Sequence, residues 1–171
     1  MGIDSGIYKT LLVLHILSAV VGFGAVMLNG LYGNEAKKRR GAEALAITDA
    51  TVFVSRVAEL FIYLVFVFGV LLVVAGDDAW SFGDLWVSLS MGLFVIAVGL
   101  SHGLLQPAVK RMRVLMAELV DMGPPPPQGA TAGPPPQAVE LEQRGRTVAV
   151  VGAVLNLTVV VILALMIWKP V

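Results

Sequence analysis

An all-α fold, four transmembrane helices in an up-down bundle with both termini outside, follows from three properties of these 171 residues. Four apolar stretches, at about 11–32, 57–75, 85–105 and 147–168, can each cross a hydrocarbon core ~30 Å thick at ~1.5 Å per helical residue. Positive charge is sorted between alternate pairs of them. Lys37, Lys38, Arg39, Arg40 and Arg56 lie between stretches one and two, and Lys110, Arg111, Arg113, Arg144 and Arg146 between three and four. The connection between two and three carries no base and three acids, Asp77, Asp78 and Asp84. The third property is aromatic placement: Tyr8, Trp80, Trp86 and Trp168 all fall at one predicted interface, where amphipathic rings settle.

Basic loops stay on the cytoplasmic side, so both basic connections are expected there, and the amino terminus, the Asp-rich turn and the carboxyl terminus outside. A bacterial cytoplasmic membrane is the expected location. The chain is expected to form a single integral membrane domain over residues 1–171, with room for no folded soluble domain. Charged residues are 14% of the chain, against ~25% in an ordinary soluble domain. Zero net charge says nothing of nucleic acid, and with the local basic clusters accounted for by topology no nucleic-acid partner is expected. With no cysteine, disulfides, thiol catalysis and Cys-ligated metal are excluded.

Stretch one is too long for a signal h-region, and its basic cluster follows it, so a retained helix is expected. Its residues His15, Ser18, Ala19, Gly22, Val26 and Asn29 share one face at ~100° per residue, a small and polar stripe that should face the bundle. Helix two is expected to begin before the bilayer, because 42–55 is Ala-rich and free of Gly and Pro. Glu59 leads a stripe on it with Tyr63, Phe66 and Val70. Helix three aligns Gly92, Gly99, Gly103 and Gln106 beside His102, and Gly99–Gly103 has the GxxxG spacing that permits close helix contact.

After Pro107, residues 108–122 place Val109, Met112, Met116, Leu119 and Val120 on one face. Such a helix can lie at the interface, dock on a partner, or simply extend helix three into water. The last reading is the simplest. Residues 123–137 hold seven of the nine prolines and are expected to form an extended tether. Helix four contributes Gly145, Ala149, Gly152 and Asn156. Gly22, Gly92, Gly99, Gly103 and Gly152 are the expected helix-packing positions.

Ionisable groups inside a membrane are costly unless paired or hydrated, which makes each a functional candidate. Asn29, Arg56, Glu59, His102 and Gln106 are expected in one layer near the cytoplasmic side. Glu59 can pair with Arg56 along its own helix or with His102 across helices, as a packing network or as a proton- or ligand-binding cluster. His15 belongs to the outer half, roughly 15 Å from His102 along the membrane normal, so the two cannot both ligate one haem within a chain. Met91 and Met166 lie near the level of His15, which leaves copper or haem as a minor reading there. No cofactor is otherwise expected. No metalloprotease, phosphate-loop or nucleophile-elbow motif is present, so no enzyme is expected.

The Leu-His beginning and Gly-rich second half of LLVLHILSAVVGFGAVMLNGLYG (11–33) and the span WSFGDLWVSLSMGLFVIAVGLSHGLLQPAVKRM (80–112) carry a resemblance. Together they look like a bacterial family of predicted four-helix integral membrane proteins, a domain of unknown function. The Leu-His start is also similar to membrane helices of copper-resistance-D-like proteins. These likenesses imply a four-helix architecture and transfer no activity. The expected function is a non-catalytic accessory or assembly partner of a membrane complex, with the lipid bilayer and another membrane protein or a second copy as partners. The alternative is a small proton-coupled transporter or channel using Glu59 and His102.

Overall fold

A computed structural model describes residues 2–123 and 133–170. The described residues form five α-helices: α1 (Gly6–Lys38), α2 (Ala42–Ala75), α3 (Leu85–Leu100), α4 (Gln106–Asp121) and α5 (Pro136–Trp168). A π-helical turn, Ser101–Leu105, joins α3 to α4, so the two form one continuous rod of membrane-crossing length. Four rods therefore match the four apolar stretches. Much of the apolar surface faces outward, with Val20 65%, Val74 65% and Ile167 74% exposed, as expected where lipid is the solvent.

Local chemistry sets the ends. Ser5 caps α1 by accepting the Tyr8 amide at 3.2 Å. The turn from α1 to α2 runs through Gly41 at φ 59°, ψ −137°, a conformation that a side chain would strain. Pro136 occupies the first turn of α5, where its missing N–H costs nothing. Pro136 and Gln137 are thus helical, which shortens the tether expected over 123–137. Its central part, 124–132, lies outside the described residues.

Neighbouring rods run antiparallel. His15, Gly22 and Asn29 of α1 meet Val65, Ile62 and Ser55 of α2 in reverse order. Going the other way along α2, Phe66, Glu59 and Asp49 meet Phe94, His102 and Arg113. The up-down bundle is therefore present, but its packing is uneven. Helix α1 packs closely on α2 through buried Ser18, Gly22 and Ala58 and only grazes α5. The backbones of α2 and α3 hardly approach one another, and side chains span the gap.

Each end is tied differently. Residues 108–122 prove to be an extension of the third rod, packed on α2 and α5 with Leu115 fully buried and Ala108 nearly so. Arg113 pairs with Asp49 of α2, while Arg111 makes a two-pronged bond to Glu140 of α5 at 2.9 and 2.7 Å. At the opposite end, Trp80 donates to the Tyr8 hydroxyl at 3.0 Å and meets Trp86 edge-on. Lys169 lies 3.7 Å from the Trp80 ring centroid, a cation–π contact that draws the end of α5 onto the turn between α2 and α3.

Candidate functional site

One polar cluster joins α2 to the π turn. Glu59 Oε1 and His102 Nε2 are 2.9 Å apart, and the Tyr63 hydroxyl lies 2.9 Å from each. The result is a closed triangle of a carboxylate oxygen, a phenol and an imidazole nitrogen. Tyr63 stands four residues after Glu59, so the regular turn of α2 presents both on one face. The Gln106 side chain approaches the same carboxylate from the start of α4.

The π turn is what aims His102. Pro107 lacks the N–H that would bond Gly103, and its ring would press on that carbonyl in a regular helix. The rod widens instead, and the Gln106 amide bonds to Ser101 O, five residues back. His102 Nδ1 then donates to Val98 O at 3.0 Å, because a carbonyl can only accept. Nε2 is left facing Glu59.

The cluster is only partly covered. Tyr63 is 41% exposed, and the side chains of His102 and Glu59 are 43% and 33% exposed. On α3, Gly92, Val95, Ile96 and Gly99 are also exposed, as is Gly103 in the π turn. A Cβ added at Gly92, Gly99, Gly103 or Gly152 would meet nothing within 4 Å. None of those four glycines is closed in by a side chain or neighbouring backbone of the described residues. Sequence periodicity marks a small-residue face without saying which way the helix is turned, and the π turn also breaks the register between Gly99 and Gly103.

The close helix contact lies elsewhere. A Cβ at Gly22 would come within 3.1 Å of the Ile62 backbone nitrogen. At Gly69 it would come within 3.2 Å of the His15 ring, whose Nδ1 donates to Val65 O at 2.9 Å. The small residue opens the path from His15 to that carbonyl. Nε2 of His15 has no hydrogen-bond partner among the described residues. Met91 and Met166 are half-buried on α3 and α5, whereas His15 is seated against α2. No group of three or more His, Cys, Asp or Glu placed to hold a metal ion occurs among the described residues.

Two members of the expected layer stay outside the cluster. Asn29 Nδ2 donates to Ser55 Oγ at 2.8 Å, leaving its Oδ1 buried without a partner. Arg56 is exposed and makes no ion pair with Glu59 among the described residues. One turn of helix carries Arg56 toward the interface, where water competes for it, while His102 faces Glu59 directly. Tyr63 and the Pro107-induced turn are the contributors that sequence reasoning undervalued. The i,i+4 spacing of Glu59 and Tyr63 was their visible signal.

The family described as predicted integral membrane protein (DUF2269) matches residues 9–170. The chain belongs to that family. The match spans all four rods, from the first turns of α1 past the end of α5. No curated protein and no solved structure matches the chain. Membership of DUF2269 establishes an integral membrane protein of unknown function and assigns no residue a role.

Proposed function

We propose that this DUF2269 protein is a non-catalytic membrane subunit that works by lateral association with a transmembrane helix of another protein. One observation carries the reading: Gly92, Gly99 and Gly103 on the third rod border open space, and the π turn that holds Gly103 also presents His102 to the half-exposed cluster with Glu59 and Tyr63. Small residues let a second helix backbone approach closely, and polar groups at membrane depth favour a partner over lipid. The occupant is accordingly an apolar helix with a hydrogen-bonding side chain level with His102.

Affinity purification from the native membrane in mild detergent tests this. A stoichiometric membrane partner, lost in the Gly99→Leu/Gly103→Leu double variant, is the expected result. A wild type that purifies only with itself, or a partner retained unchanged by the double variant, would overturn it. The same reading has the basic end of the bundle in the cytoplasm of a bacterial cell and both termini outside. Because the chain lacks cysteine, Phe82→Cys in the Asp-rich turn should react with an impermeant maleimide in intact cells.

A second reading, a small proton-coupled transporter or channel, draws on the hydrogen-bonded triangle itself. It requires Glu59→Gln to abolish pH-dependent flux in vesicles. Undiminished flux from that variant would end it.

A further inference from the structure

We infer that Glu59, Tyr63 and His102 form a proton-loaded clamp, in which one shared proton holds α2 against the π turn and its loss lets them part. The inference depends neither on lateral association nor on transport. It follows from counting protons in the triangle. His102 Nδ1 must carry hydrogen, since its partner is the Val98 carbonyl. In a neutral imidazole Nε2 is then a bare acceptor. An ionised Glu59 Oε1 is a bare acceptor too, yet the two atoms are 2.9 Å apart.

Two lone pairs do not face each other at that distance without a proton between them. Either His102 is an imidazolium donating to the Glu59 carboxylate, or Glu59 is a carboxylic acid donating to neutral His102. Both descriptions contain the same single dissociable proton, which belongs to the pair. The imidazolium form also satisfies the whole triangle: Nε2–H points between Oε1 and the Tyr63 oxygen, while the Tyr63 hydroxyl donates to Oε1. When the proton leaves to water, the Tyr63 hydroxyl can donate to one acceptor only. The other is left facing a lone pair.

The surroundings leave this pair to itself. Gln106 of α4 is polar but does not titrate in water, and Arg56 on α2 makes no ion pair with Glu59. Helix α5, which packs against the π turn, has no titratable residue from Thr147 to Trp168. Its bases and acids lie before that, where Arg146 pairs with Glu142 and Arg144 with Glu140. On α4, Arg111 is taken by Glu140 and Arg113 by Asp49, and Lys110 is exposed. Helix α1 packs on α2 with His15 turned to Val65 and Tyr32 exposed. On α3, no residue from Val87 to Ser101 titrates.

The geometry also gives the proton mechanical leverage. The α2 and α3 backbones hardly touch at this level, where the Phe66–Phe94 stack at 5.1 Å is the neighbouring contact, while α4 of the same rod stays tied to α2 through Arg113 and Asp49. A π turn beside the clamp is already a departure from regular helix and the natural place for the rod to bend.

The native absence of cysteine makes the test direct. Val57→Cys and Leu104→Cys, both exposed and flanking the clamp, would carry a spin-label pair for distance measurement in lipid nanodiscs. Between about pH 4, near the value of a free carboxyl, and about pH 10, near that of a free tyrosine, the distance should shift from one short, narrow population to a longer, broader one. Glu59→Gln should stay short throughout, because its amide donates to Nε2 without needing the shared proton. A distribution independent of pH in the otherwise native chain would overturn the inference, as would an unchanged pH response in Glu59→Gln. Infrared difference spectra of the unsubstituted protein give a second readout that requires no variant to fold. Loss of a carboxylic-acid or imidazolium band across the same range is expected, and a spectrum lacking both would refute the clamp.

Discussion

At the scale of single residues, the glycines separate into two kinds that look alike in sequence. Gly22 is closed in by backbone that cannot move aside, so Gly22→Ala should cost about 1–3 kcal/mol, as overpacking does in a filled interior. Gly99→Ala meets open space inside a helix and should raise the stability of the isolated chain by up to about 1 kcal/mol. Denaturation of both variants in mixed micelles would check the contrast. His15 and His102 differ in a similar way. Each donates Nδ1–H to a carbonyl, but only His102 meets another side chain through Nε2. Both histidines stand out in the sequence as ionisable groups in apolar stretches. Which one acquires an acid depends on rotations about helix axes that periodicity leaves undetermined.

Among the elements, the rod Leu85–Asp121 is the most informative, because a single proline changes its register. With Pro107→Ala, residue 107 regains an N–H for Gly103 and the π turn should relax toward regular helix. His102 would swing away from Glu59, and the pH response of the spin-label distance should be lost while the bundle remains helical. Circular dichroism together with the distance measurement would show whether both hold. The basic-end extension has its own core, centred on Leu115. Leu115→Ala should destabilise that region by about 2–5 kcal/mol, since it empties a fully buried site. Increased hydrogen exchange confined to α4 and the first turns of α5 is the expected signature. The amphipathic pattern of 108–122 was legible in sequence. That its apolar face covers α2 and α5 was not, because the same pattern suits a membrane surface equally well.

For the whole molecule, the two polar regions should respond to pH with opposite sign. Arg111 hydrogen-bonds Glu140 and holds its carboxyl below the ordinary value of 4.5, and Arg113 does the same for Asp49 relative to 3.8. A carboxyl lowered on folding contributes stability that is present above its unfolded value and is lost as pH falls through the folded one. The basic end should therefore loosen in acid, and the Glu59–His102 clamp should open in alkali. Hydrogen exchange followed across pH would resolve both, with α4 and α5 exposed first at low pH and the π turn at high pH. A single transition common to all helices would contradict this separation. The opposite end, tied by Lys169 over Trp80 and by Trp80 to Tyr8, should hold the rods together in either event.

Apolar runs and the order of charges along the chain already require that it crosses a membrane as four helices and that most of its positive charge gathers at one end. A bilayer requires every crossing backbone to satisfy its own hydrogen bonds, which makes span number and length local properties of apolar runs. Residue-level depth was local too, since it is a count from a boundary, and it placed Glu59 and His102 at one level. Tertiary structure alone decided that Glu59 meets His102 and Tyr63 while Arg56 and Asn29 stand apart. It also decided that Gly22, rather than Gly99 and Gly103, closes a helix contact. Those outcomes turn on how far each helix is rotated about its axis and where a proline widens the third rod. Contacts between helices set the rotation, and no short stretch of the chain encodes it.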